Sequence, residues 1–283
     1  IEADLLEELA RVHGYDRVPA TYIRAALVMP PRPEARLSVR QLRRHLAARG
    51  YREAITYSFV DPKLQRLFDP ELAPVALANP ISADMAVMRT SLLPGLVGAV
   101  LRNTKRQQPR TRLYETGLRF LPGADGLRQV PTLAMVVGGP RFAESWAVAG
   151  QAADFFDLKG DLESLFALTR DPAGVQFAAG ERAALHPGQT AAITRNGQSV
   201  GYIGALHPAA QAALDLVAPL YVCEIDLEAL LQGPLPRFTE LSRFPEVRRD
   251  LAVVVDKSLP AADLMANVRA AAGSYLQSRN GAF

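Results

Sequence analysis

Three carboxylates, Asp4, Glu7 and Glu8, open the chain at spacings of three and four residues. On a helix that spacing puts all three on one face of a single turn. Two kinds of chemistry fit such a turn. A hard divalent cation such as Mg²⁺ takes oxygen ligands and keeps several of its waters, so three carboxylates can hold it without a closed cage. Alternatively, the acids form a solvated face near a helix N-terminus, where the macrodipole favours negative charge. Like charges this close repel one another without a counter-ion or a basic partner. Spacing alone leaves both readings open.

A second group is basic. Arg102, Lys105, Arg106, Arg110, Arg112 and Arg119 follow one another closely enough to track a nucleic-acid backbone or to form a solvated, partner-facing surface. Aromatic residues are not interleaved with these bases, which argues against a single-strand stacking platform. The four histidines, His13, His45, His186 and His207, show no metal-ligand spacing and no nucleophile partner. His186-Pro187 and His207-Pro208 read as turn elements. The single cysteine, Cys223, excludes an internal disulfide or a thiolate zinc cluster, fits a reducing cytoplasm, and reads as an inward-facing apolar side chain. No dinucleotide fingerprint, phosphate loop or nucleophile elbow occurs.

These residues need elements to hold them. With 49% hydrophobic and 22% charged residues over 283 positions, the chain can bury a core and is globular. Its longest apolar runs fall well short of the roughly 20 residues that span a bilayer, so no membrane partner is expected. It opens on Ile1 without the order of a secretory signal, and reads as an internal fragment. The 32 basic and 29 acidic residues nearly balance, so net charge is only a mild pointer to nucleic acid.

Leu5, Leu6, Leu9 and Val12 predict a helix over residues 4–13, stopped by Gly14. Prolines bracket an extended connection over residues 19–34. Leu37, Leu42 and Leu46 mark a basic amphipathic helix over 36–49, ended by Gly50. The alternation from Ala54 to Val60 predicts a strand, stopped by Asp61-Pro62. Helices over 95–106 and 157–168 are interspersed with strands over 113–121, 132–137, 191–195 and 200–205, several joined by short turns. That mixture predicts an α+β fold with a mainly antiparallel sheet flanked by helices. After a break at Gly233-Pro234-Leu235-Pro236, a strand over 249–256, a helix over 260–272 and a strand beginning over 275–277 are expected.

Several runs together resemble one family, the β chain of bacterial phenylalanine–tRNA synthetase. They are Asp4-Leu-Leu-Glu-Glu-Leu-Ala-Arg-Val-His-Gly-Tyr-Asp16, Asn79-Pro-Ile-Ser82, Val87-Met-Arg-Thr-Ser-Leu-Leu-Pro-Gly95, Asp154-Phe-Phe-Asp-Leu-Lys-Gly160, Leu185-His-Pro-Gly-Gln189, Gly204-Ala-Leu-His-Pro208 and Arg243-Phe-Pro-Glu-Val-Arg-Arg-Asp-Leu251. They cover nearly the whole chain in the family's order. The resemblance implies three regions: the last helix of a helical domain at 1–19, a class II aminoacyl-tRNA synthetase-like core at 20–236, and the start of a ferredoxin-like anticodon-binding domain at 243–283. It implies an assembly of two α and two β chains, with the helix at 36–49 and the strand after it serving subunit association, and tRNA(Phe) as the RNA partner.

The resemblance also implies a core without chemistry of its own. Active class II enzymes carry an Arg and a Glu after the second motif's strand; here Phe120-Leu121-Pro122-Gly123 stands there. The third motif is glycine-rich and ends in an Arg that meets the ATP γ-phosphate; here Glu224, Asp226 and Ala229 take those places. No catalytic or cofactor-binding residue is therefore expected in this chain, and ATP is expected to be used at the α subunit. Asp4, Glu7 and Glu8 match the carboxylates of the family's Mg²⁺ site, whose further Asp is missing here. The expected function is a non-catalytic module of the phenylalanine–tRNA ligase β subunit, supporting ATP-dependent charging of tRNA(Phe) in the cytoplasm. The alternative is direct tRNA binding through the basic surface from Arg102 to Arg119.

Overall fold

The computed structural model describes residues 1–22, 24–26, 28–29, 33–123, 126–235, 238, 245, 247 and 249–273. They fall into two compact units, Ile1–Pro236 and Arg237–Phe283. The first unit opens with α1 (Glu2–His13), which stops at Gly14, where φ is 98°. None of its residues is buried, so the Leu5, Leu6, Leu9 and Val12 stripe lies open. The basic helix α2 (Val39–Ala48) starts later than its leucines alone predict. Ser38 caps it, accepting from the Gln41 N–H while the Gln41 side chain accepts from the Ser38 N–H.

Beyond α2 come β1 (Arg52–Glu53) and β2 (Phe59–Val60), then α3 (Pro62–Phe68), for which Asp61 is the N-cap and Pro62 the favoured first residue. Of the strand expected over 54–60 only Phe59–Val60 forms, and Arg52–Glu53 pair just before it. After Glu53 the chain leaves β1's parallel ladder: the Ala54 N–H still reaches the Tyr114 carbonyl, but the Thr56 hydroxyl donates to the Glu115 side chain. The chain then runs through β3 (Val87–Met88), α4 (Leu93–Thr104), β4 (Thr111–Gly123), β5 (Gly126–Gly138), α5 (Phe155–Ala167), β6 (Val175–Ala179), β7 (Leu185–Arg195), β8 (Gln198–Leu206), α6 (Pro208–Ala213), β9 (Leu220–Asp226) and α7 (Leu227–Leu231).

Seven strands form one sheet in the order β1-β4-β5-β9-β8-β7-β6, and every pairing except β1 with β4 is antiparallel. The fold is α+β with a mainly antiparallel sheet, the class the sequence predicts. Strand alternation divides the core in two. Leu133, Met135, Val137, Cys223 and Ile225 face α2, α5 and α7, while Ala134, Val136, Leu220 and Val222 face α3, α4 and α6. Each fully buried leucine of α4, such as Leu93 or Leu96, contributes about 1.5–3 kcal/mol by leaving water. The start and end of the core are tied where the Leu37 N–H meets the Leu231 carbonyl at 2.7 Å and the Gly233 N–H meets the Ala35 carbonyl at 2.8 Å.

In the second unit, α8 (Ala261–Ala272) appears where the sequence places a helix. The strand expected over 249–256 is not formed: no described residue pairs with that segment, and Leu251 and Val254 are exposed. Alternating valines favour a strand only where a neighbour completes the ladder. The expected strand at 275–277 lies outside the described residues.

Candidate functional site

On the α4 side of the sheet, the alternation of β9 places Glu224 in phase with Leu220 and Val222, so a carboxylate enters the core with only 2% exposure. It is fully engaged there. Glu224 accepts from the Leu92 N–H at 2.7 Å, the Ser91 hydroxyl at 3.1 Å and the Tyr202 hydroxyl at 2.9 Å. Arg119 lies 4.0 Å from Glu224 and pairs with Asp226 at 2.5 Å. Arg182 stacks on the Tyr202 ring, 4.4 Å from its centroid. Burial first, and then the Glu224 charge, push the Tyr202 phenol well above its ordinary pKa, so it donates a proton to the pair and does not ionise.

A second buried pair completes this face. Arg89 meets Glu115 at 2.7 Å with both side chains out of water, and donates to the Leu118 carbonyl at 2.9 Å and the Thr56 hydroxyl at 3.0 Å. Gly117 leaves room for that guanidinium, since a Cβ there would come within 2.4 Å of it. The cavity left over, about 280 Å³, is lined by Glu181, Glu224 and Asp226 against Arg119 and Arg182. A polyphosphate entering it meets more acid than base; Arg119 is already paired with Asp226, and Arg182 lies over the Tyr202 ring. Phe120 is buried with its N–H on the Arg89 carbonyl at 2.9 Å, while Leu121 and Gly123 run on in ordinary register opposite Arg128 and Gly126. Ala229 packs with the opposite core, beside α2 and α5, and its carbonyl accepts from Arg195.

The other side of the sheet holds a different node. Asp161 of α5 accepts from Arg49 at 2.6 Å, from the Tyr51 hydroxyl at 2.7 Å and from Arg112 at 2.6 Å. Three elements, the end of α2, the approach to β1 and β4, thus converge on one carboxylate. Gly50 sits between two of the donors with φ at +83°, a conformation other residues adopt only at a cost. Burial and the neighbouring Asp161 raise the Tyr51 pKa well above its ordinary value. His45 touches the Ser164 hydroxyl at 2.8 Å, and burial, then Arg49, lower its pKa. Just beyond this node, Ile55 and Tyr57 stand 89% and 66% exposed.

Asp4, Glu7 and Glu8 do share one exposed helical turn, as their spacing predicts, but they do not enclose a cation. Glu8 pairs with Arg11 at 2.5 Å. Among the described residues no three His, Cys, Asp or Glu side chains are gathered to hold a metal ion. As arranged here, the three carboxylates do not by themselves fit Mg²⁺. The basic run does not form one surface. Arg112 and Arg119 are drawn inside by Asp161 and Asp226, and only Arg102, Lys105 and Arg106 are fully exposed. The two His-Pro pairs are turns: the His186 and His207 rings each accept a backbone N–H two residues ahead, at 3.0 and 3.1 Å. Cys223 is buried, and desolvation pushes its thiol pKa up. Sequence reasoning missed Asp161 and the Arg89–Glu115 pair. The signal for Glu224 was present, because its parity in the 220–226 alternation puts it on the apolar side.

A helix-flanked antiparallel sheet of this order defines the class II aminoacyl-tRNA synthetase fold. The structure of a pyrrolysyl tRNA synthetase, PylSc, from Desulfitobacterium hafniense superposes with a TM-score of 0.50 over 68% of this chain and 64% of that one, at 14% identity. Within that fold the match is narrower. Residues 18–227 match the family model described as the phenylalanyl tRNA synthetase beta chain CLM domain, and the chain belongs to that family. The phenylalanine–tRNA ligase beta subunit of Pseudomonas fluorescens strain Pf-5 is 51% identical over 276 residues, covering 98% of this chain and 35% of that protein. That of Yersinia pestis is 49% identical over 272 residues, 95% of this chain and 34% of that protein. The chain thus spans about a third of the length of these curated relatives. Among the described residues no helix is long and apolar enough to cross a membrane.

Proposed function

We propose that this chain is a non-catalytic, catalytic-like module of a phenylalanine–tRNA ligase β subunit, which binds the α subunit and supports ATP-dependent charging of tRNA(Phe) in the cytoplasm. The observation that carries this reading is the state of the α4 side of the sheet. Its buried charges, Glu224 with Tyr202 and Arg89 with Glu115, satisfy one another, and of the two cations lining the cavity Arg119 is paired with Asp226 and Arg182 is stacked on Tyr202. Association rests on the segment after α2, where Asp161 fixes the turn into β1 and Ile55 and Tyr57 are presented to solvent. The core at 20–236 acts as this module; residues 1–19 and 243–283 belong to neighbouring domains. Mg²⁺ binding by Asp4, Glu7 and Glu8 requires at least one ligand from outside these residues. Co-expression with the matching α chain tests the reading: co-elution of the two on size exclusion is expected, and separate elution at micromolar concentration overturns it.

A further inference from the structure

The segment between β6 and β7 brings two charges to the cavity on the α4 side of the sheet and holds them there. The Gly180 N–H donates to the Thr190 carbonyl at 3.1 Å, and the Leu185 N–H donates to the Arg182 carbonyl at 2.9 Å. Leu185 is buried in the core, so the segment is fixed at both ends. Gly180 lets it lie close on β7, since a Cβ there would sit 3.0 Å from the Ala192 nitrogen and 3.2 Å from the Ala192 Cβ. Glu181 and Arg182, between these anchors, are exposed and line the cavity. Arg182 lies over the Tyr202 ring, 4.4 Å from its centroid, and the Tyr202 hydroxyl is in turn held by Glu224. Among the described residues neither Glu181 nor Arg182 takes part in an ion pair.

The other cation lining the cavity, Arg119, is satisfied only in part. Its guanidinium pairs with Asp226 at 2.5 Å and stands 4.0 Å from Glu224, yet its buried Nε–H has no acceptor among the described residues. A buried donor without a partner is costly, and an acceptor oxygen entering the cavity relieves that cost. The Arg119 Nε–H and the Arg182 guanidinium thus both call for a carboxylate. A bare anion is nevertheless disfavoured, because Glu181, Glu224 and Asp226 outnumber the two arginines, and Glu181 stands ready for a cation. Only a ligand that carries both signs satisfies both demands. The volume of about 280 Å³ lies at the low end of the roughly 300–1,000 Å³ that sites for small organic molecules occupy, so the occupant is small.

We propose that this cavity binds a small zwitterion, a free amino acid, with its carboxylate on Arg182 and Arg119 and its ammonium on Glu181. Binding involves no bond made or broken. The inference uses only residues of the core and goes beyond the ligase reading without resting on it.

Isothermal titration calorimetry on the whole chain tests this, with the common L-amino acids added singly and with acetate and ethylammonium as the two halves of the ligand. At least one amino acid is expected to saturate below about 10 mM and to bind at least about tenfold more tightly than either half. Glu181→Gln and Arg182→Ala each remove a charge-assisted contact and are expected to weaken that binding about 10- to 100-fold, with Arg182→Lys recovering part of the second loss. Both side chains are exposed, so the variants keep the fold, and unchanged urea midpoints check it. No saturable heat from any amino acid at about 10 mM, or parental affinity in either variant, overturns the proposal. So does acetate binding as tightly as any amino acid, which makes the cavity an anion site, or ethylammonium doing so, which makes it a cation site. Failure of the chain to join the α chain, with amino-acid binding intact, instead strikes only the ligase reading.

Discussion

Two buried carboxylates, one on each side of the sheet, do opposite work. Glu224 takes its hydrogen bonds from a hydroxyl, a backbone N–H and a phenol, with its nearest guanidinium 4.0 Å away, so its site is sealed by mostly neutral donors. Asp161 binds two arginines and a tyrosine from three elements, so it acts as a brace. In the first case burial closes the α4 side of the sheet around the carboxylate. In the second it fixes the shape of the sheet edge at β1. The same chemistry, a satisfied buried acid, closes one face and braces an edge, and what differs is which elements the donors come from.

The largest expected effect comes from the brace. Asp161→Ala leaves Arg112 buried without its counter-ion, and is expected to cost about 3–5 kcal/mol in urea unfolding. Glu224→Ala breaks the seal instead. Its orphaned donors can be wetted through the adjoining cavity, so a smaller loss of about 2 kcal/mol is expected in the same measurement. Tyr51→Phe and Tyr202→Phe remove one hydrogen bond from each node and are expected to cost about 1 kcal/mol apiece. Both phenols are raised in the folded state by burial and a carboxylate, while unfolded tyrosine ionises near about pH 10. Their contribution is complete below that pH and is lost as pH rises further, because the unfolded chain releases the proton first. Alkaline unfolding curves of the two Phe variants should therefore be flatter than those of the parent. Ile55→Asp with Tyr57→Asp is expected to change stability by less than about 0.5 kcal/mol, since both side chains are already in water, yet to abolish co-elution with the α chain.

Much of this architecture is written in local pattern. The apolar periodicity of α4 and α5 and the continuous apolar run of β5, buried on both faces, mark long elements, and the Asn196-Gly197 pair marks the turn joining β7 to β8, with both residues at positive φ. Short elements were not legible. α3, α6 and α7 hold five to seven residues each and are set by their caps and by tertiary contacts more than by periodicity. Residues 54–58 alternate like a strand, but Thr56 spends its hydroxyl on Glu115. That Leu121, Gly123 and Ala229 carry no charge was legible, since it needs only the residue types. The nodes at Asp161 and Arg89 were not, because each depends on side chains separated by 26 to 112 residues, and no local pattern records such a meeting.

Phenylalanine-dependent ATP–pyrophosphate exchange, measured on the chain alone and on its complex with the α chain, tests the central claim most directly. The satisfied charges on the α4 side predict no exchange above background from the chain alone and clear exchange from the complex. Exchange by the chain alone, abolished by Glu224→Ala or Arg119→Ala, would contradict it.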